Sequence, residues 1–133
     1  MAPTIDEVVE RARRRLLRVT PEQAAAELAQ GALLVDTRTE SQRAVRGEIP
    51  GAIVIDRTVL EWRLDPTSPS RIEEVNDHQM RIIVVCAEGY SSSLAAASLQ
   101  DIGLVNATDL VGGFEAWKAA GLPIKRHETN SAR

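Results

Sequence analysis

The chain has 133 residues and a mass of 14.5 kDa, a length that suits one domain around one core. Its hydrophobic fraction is 44%, its charged fraction 26% and its aromatic fraction only 3%, so an ordinary globular core must be built from Val, Leu, Ile and Ala. A net charge of −3 with few aromatics argues against nucleic acid, and no apolar run reaches the ~18–20 residues that cross a membrane.

Thr4-Ile5-Asp6-Glu7 reads as a capping box that opens a helix. Ile5, Val8, Ala12 and Leu16 mark its apolar face, and Glu7/Arg11 and Glu10/Arg14 form four-residue ion pairs. Asp6, Glu7 and Glu10 rule against a signal peptide, and Arg11, Arg13, Arg14 and Arg15 read as a solvated face. Residues 1–20 are therefore expected as a helical extension packed on the domain. A second helix starts at Thr20-Pro21-Glu22-Gln23, runs to Gln30 and stops at Gly31.

Ala32-Leu33-Leu34-Val35 is a continuous apolar run, the mark of a strand covered on both faces. Thr39-Glu40-Ser41-Gln42 opens a short helix that ends at Gly47, and Pro50-Gly51 turns into the strand Ala52-Ile53-Val54-Ile55. Residues 56–64 hold a helical turn or two, and Pro66 to Pro69 punctuate a surface loop. Arg81-Ile82-Ile83-Val84-Val85 is the clearest strand. A loop with Gly89 leads into a helix carrying Ala95, Leu99 and Ile102, closed by Gly103. A short strand near 108–111 precedes Gly112-Gly113 and a last helix through Phe114 and Trp117 to Ala120. Strands alternating with helices imply an α/β fold, a parallel sheet with helices on both faces. The domain is expected over 21–125 and a flexible tail over 126–133.

The single cysteine, Cys86, excludes an internal disulfide or a multi-thiolate zinc site and favours a reducing compartment, the cytoplasm. It follows a buried strand and precedes a helix, where ligands bind in open α/β sheets. The loop amides and the first turn of that helix make an anion nest. Such donors stabilise a thiolate, or a persulfide anion, over the neutral thiol. Lone cysteines also serve as inert packing, so position alone leaves both roles open.

Two further segments bear on this. Val35-Asp36-Thr37-Arg38 followed by Gly47-Glu48-Ile49-Pro50-Gly51-Ala52 resembles the N-terminal signature of rhodanese domains. Leu110-Val111-Gly112-Gly113-Phe114-Glu115-Ala116-Trp117, closing in Ala120-Gly121-Leu122-Pro123, is similar to their C-terminal signature. Cys86 stands between them where the family places its sulfur-carrying cysteine. The resemblance implies a rhodanese-like three-layer domain with a five-stranded, mainly parallel sheet. It implies Cys86 as persulfide nucleophile in a loop of Ala87, Glu88, Gly89, Tyr90 and Ser91, with Ser92 starting the helix. Asp36 and Arg38 fall on the same rim, in a loop-bracing role.

The sequence departs from the family where thiosulfate-using members carry loop cations, here Ala87 and Ser91, and Glu88 adds a negative charge. A carboxylate near the pocket opposes a dianion by roughly 1 kcal/mol for a partly solvated pair at ~4 Å. Weak thiosulfate activity is expected, with polysulfide or a protein persulfide as the favoured donor and a thiol as acceptor. Glu48 replaces the family histidine of G-H-I-P-G in what reads as a structural position. Arg57 and Arg63 could swing toward the pocket, Arg63 replacing the loop cations; the plainer reading, which is preferred, is that Trp62 packs a flap and Arg63 is solvated. Tyr90 could meet a partner or cover the sulfur.

A phosphatase would need arginine six positions after the cysteine, where Ser92 stands. A Cys–His dyad fails because His78 lies at the far end of the strand, some 16 Å away at ~3.3 Å per residue. His78 and His127 both read as solvated. The resulting expectation is a sulfurtransferase without metal or organic cofactor, acting as a monomer or homodimer. A non-catalytic module that binds a partner or senses redox state is the alternative.

Overall fold

A computed structural model describes residues 1–128. Three of its helices open on threonine caps: α1 (Ile5–Arg14) on Thr4, α2 (Pro21–Ala29) on Thr20 and α3 (Glu40–Arg46) on Thr39. Each threonine hydroxyl accepts from the amide three residues on, and Glu7, Gln23 and Gln42 reach back to the cap amides. Such reciprocal bonds satisfy two otherwise unpaired donors per helix.

The strands are β1 (Leu33–Asp36), β2 (Ile53–Val54), β3 (Ile82–Val85) and β4 (Ala107–Asp109), all parallel in the order β2-β1-β3-β4. The expected fifth strand is reduced to a single parallel bridge, Val19 with Leu110. Val19 donates to the Asp109 carbonyl and accepts from Val111. Pro21, which lacks an N–H, then begins α2, and the pairing cannot propagate.

β3 lies between β1 and β4, and all four of its side chains are fully buried. Ile82 and Val84 pack with Leu60 of α4 (Leu60–Leu64) and Leu99 of α5 (Ser91–Asp101). Ile83 and Val85 pack on the other face with Ala24 of α2 and with Phe114 and Trp117 of α6 (Gly113–Ala119). Burying an Ile or Val side chain is worth roughly 1.5–3 kcal/mol, so β3 is the most securely placed strand. Its partners end in register with it: Asp36 lies beside Val85, and Asp109 beside Val84. Asp36, Cys86 and Asp109 therefore emerge along one rim.

α1 packs against α5. Its buried residues are Val9 and Ala12, continued by Leu16 just beyond its end, whereas Ile5 is 65% exposed, so the contact begins one turn later than the expected apolar face. The polar ending is held in place further than expected. Lys125 and Glu48 exchange backbone hydrogen bonds at 2.8 Å, and His127 Nδ1 lies 2.6 Å from the Glu48 carboxylate. His127 is thus a partner of a buried carboxylate, not a solvated residue. Residues 129–133 of the expected tail lie outside the described residues. No helix among the described residues is long and apolar enough to cross a membrane.

Candidate active site

Cys86 is the first residue after β3 and is 6% exposed. Its Sγ accepts from the Gly89 amide at 3.1 Å and the Ser92 amide at 3.3 Å. The amides can turn inward because the loop carbonyls are occupied elsewhere. Cys86 O accepts from Phe114 N at 2.8 Å, and Ala87 O accepts from Glu115 N at 3.1 Å. The start of α6 thus holds the outer side of the loop.

That contact explains the glycine pair. Gly113 has φ +62, and a Cβ there would lie 2.5 Å from Cys86 O and 2.7 Å from Gly89 N. Only glycine allows this approach.

Burial pushes the Cys86 thiol up, but hydrogen bonding from the Ser92 and Ser91 hydroxyls and from the Ser92 and Gly89 amides outweighs it. The thiol is held below its ordinary range. Ser92 Oγ has one proton, and Asp109 Oδ2 at 2.7 Å competes with the sulfur for it. The two amides are therefore the sulfur's standing donors.

Asp36 and Arg38, 1% and 3% exposed, form a buried ion pair. Arg38 Nε and Nη2 bind both Asp36 oxygens at 2.7–3.1 Å, and Nη2 also reaches the Gly47 carbonyl at 2.9 Å. The guanidinium stacks 3.8 Å from the Phe114 ring centroid. Arg63, expected at the rim, in a loop brace or in solvent, is found in a loop contact away from Cys86. It donates to Ser70 O at 2.6 Å and braces the loop after α4. Arg57 pairs with Glu61 at 3.0 Å.

An open cleft of about 560 Å³ borders the loop, lined by Arg38, Gln42, Arg46, Ala87, Glu88 and Glu115 among others. Glu88 and Tyr90 are exposed. Glu48, in the family histidine's place, is buried against Arg43 Nε at 3.1 Å and His127.

Sequence reasoning missed four residues behind the loop. Arg13 Nη2 and Arg18 Nη2 donate to Gly89 O at 2.8 and 3.0 Å. Arg18 also grips Asp109, which is fully buried and accepts from the Ser92 and Ser93 hydroxyls at 2.7 and 2.8 Å. Arg13 is therefore not part of a solvated face. Its guanidinium also lies 5.2 Å from the Tyr90 ring centroid. No local signal marks the arginine contacts, because they join residues more than seventy positions apart.

Fold and site together define a parallel α/β domain whose central strand delivers a thiol into a ring of backbone donors. The chain belongs to the Rhodanese-like domain family, whose sequence profile matches residues 20–120. The thiosulfate sulfurtransferase GlpE of Haemophilus influenzae (strain ATCC 51907) is 36% identical over 106 residues, covering 80% of this chain and 91% of the relative. GlpE of Pseudomonas entomophila is 37% identical over 102 residues, covering 77% and 84%. A solved structure from Rhodopseudomonas palustris, described as a protein of unknown function and possible tyrosine phosphatase, superposes with a TM-score of 0.84. It is 31% identical, with 94% of this chain and 96% of that one covered.

Proposed function

We propose that this protein is a sulfurtransferase that carries sulfane sulfur as a persulfide on Cys86. The observation that carries the reading is the pair of amides on a thiol held below its ordinary range. The Cys86 thiolate attacks the outer sulfur of a donor R–S–S⁻ or of thiosulfate. The donor S–S bond breaks, a new one forms at Cys86, and thiolate or sulfite leaves with the bonding pair. An acceptor thiolate, or cyanide, then attacks the outer sulfur of Cys86–S–S⁻ and restores the thiolate. Charge balances in both half-reactions, and neither asks for a metal.

The donor amides stabilise the persulfide anion as they stabilise the thiolate. Ala87, Glu88, Gly89, Tyr90, Ser91 and Ser92 form the cradle, and Asp36 and Arg38 hold its rim. The likeness to GlpE proteins supports thiosulfate as a donor. The absence of cations at positions 87 and 91 supports polysulfide or a protein persulfide as the better one. A thiolate that must stay reduced supports a cytoplasmic setting, for a monomer or homodimer. The likeness to a possible tyrosine phosphatase does not favour phosphotransfer, because Ser92 offers no fork for a phosphate.

Intact-mass spectrometry after incubation with polysulfide, then with thiosulfate, tests this. The wild type should gain one sulfur, about 32 Da, and lose it to a thiol, while Cys86→Ser gains none. A wild type that takes up no sulfur from either donor overturns the reading and leaves a non-catalytic module.

A further inference from the structure

Gly89 is the torsional weak point of the sulfur cradle. Its φ is +86, and a Cβ there would lie 2.7 Å from Gly112 N, so the position must be glycine and gains no stiffness from a side chain. Yet its N–H is one of the two standing donors to Sγ. Something outside the loop has to fix its rotation.

We propose that Arg13 and Arg18, both from the segment before the family match, are positioning residues that clamp the Gly89 carbonyl and so hold the Gly89 N–H on the Cys86 sulfur. Arg13 Nη2 stands 2.8 Å and Arg18 Nη2 3.0 Å from that carbonyl oxygen. Hydrogen bonds from ionised donors are roughly twice as strong as neutral ones. The Gly89 N–H and C=O lie in adjacent peptide planes joined at its Cα, so anchoring the carbonyl fixes the plane on one side of the flexible joint from which the N–H reaches the sulfur. The planar trans peptide also directs the Tyr90 N–H away from the arginines.

The second donor traces back to the same pair. Ser92 N–H meets the sulfur from the first turn of α5, and that turn is tied down through the Ser92 and Ser93 hydroxyls on Asp109. Asp109 is gripped by Arg18 at 2.8 and 3.1 Å, and Arg13 Nε donates to Ser93 Oγ at 3.1 Å. Arg13 in turn is carried by α1, which packs against α5 and buries Val9 and Ala12. The clamp also brings two cations behind a loop that has none at positions 87 and 91.

The proposal rests on Cys86 being the reactive sulfur, and its test is kept independent of sulfur transfer. The full chain is alkylated with iodoacetamide across a pH series, which follows the thiolate fraction directly. Arg13→Met keeps much of the stem but removes the fork. It should slow alkylation near pH 7 by about three- to tenfold and move the midpoint to higher pH. Arg13→Lys should fall between, and Arg18→Lys, which keeps a charge beside Asp109, should also slow the reaction. Arg14→Met, whose exposed side chain pairs with Glu10, should not.

Unchanged rate and midpoint in Arg13→Met overturn the clamp. Should that variant melt below the assay temperature, Arg13→Lys is read by the same rule. A wild type that fails to load sulfur but shows this alkylation pattern counts against the proposed function, not against the clamp.

Discussion

At Cys86 the sulfur gains its donors from the backbone, and side-chain charge acts from further out. Arg13 and Arg18 stand behind the loop, while Glu88 and Glu115 line the open cleft in front of it. Arg38 also lines that cleft, but its Nε and Nη2 are given to Asp36 and Gly47 and its Nη1 is buried, which leaves Arg46 as the cleft cation not given to that brace. A dianionic donor entering from the cleft therefore meets two carboxylates against little positive charge. Glu88→Lys changes the local charge by two units. With about 1 kcal/mol per close solvated pair, kcat/KM for thiosulfate should rise roughly five- to twentyfold. The gain should shrink as salt is added. Steady-state assays at low and high ionic strength check this, and no gain at low salt would show that Glu88 does not govern donor choice.

Among the elements, the start of α6 does for the loop's outer side what the arginines do for its inner side. Gly113→Ala would place a methyl against the Cys86 carbonyl and the Gly89 amide, at a φ that already disfavours alanine. We expect a loss of about 2–4 kcal/mol in urea unfolding, together with most of the sulfur-loading activity. Gly121→Ala is the matched control. Its φ is +74 with open space around it, so it should cost only about 1 kcal/mol. Equal costs in the two variants would mean that backbone strain, not the packing of α6 on the loop, makes Gly113 necessary.

The same elements show what could be read from the order of residues alone. β3, Cys86 and the glycine loop were legible because their signals are local: a β-branched run, then a nucleophile, then Gly89. The caps at Thr4, Thr20 and Thr39 were legible for the same reason. The Arg13–Gly89 bond joins residues 76 positions apart, and an arginine on an amphipathic helix looks the same whether it meets solvent or a carbonyl. The missing fifth strand turned on one proline after Val19, and the place of His127 on a carboxylate 79 positions earlier.

For the molecule as a whole, the donors that lower the Cys86 thiol also link folding to pH. Its titration in the folded chain lies below that of the unfolded chain, where the amides and hydroxyls are lost. Below the folded value both states hold the proton, and the group adds nothing to stability. Between the two values the unfolded chain holds a proton that the folded chain has released, so stability rises with pH. Above the unfolded value, near the ~8.5 of free cysteine, the gain is complete. Falling pH removes it again as the folded thiolate is protonated. Glu88 in the loop and Asp109 behind it oppose the thiolate, Arg13 and Arg18 support it, and all four are unchanged by substitution at position 86. The difference in melting temperature between wild type and Cys86→Ser should therefore shift in favour of the wild type as pH is raised from 5 to 9. Differential scanning calorimetry across that series reads the effect. A difference that stays flat would mean that the cradle gives the thiolate no preference over the thiol, and that the two amides on Sγ are packing contacts.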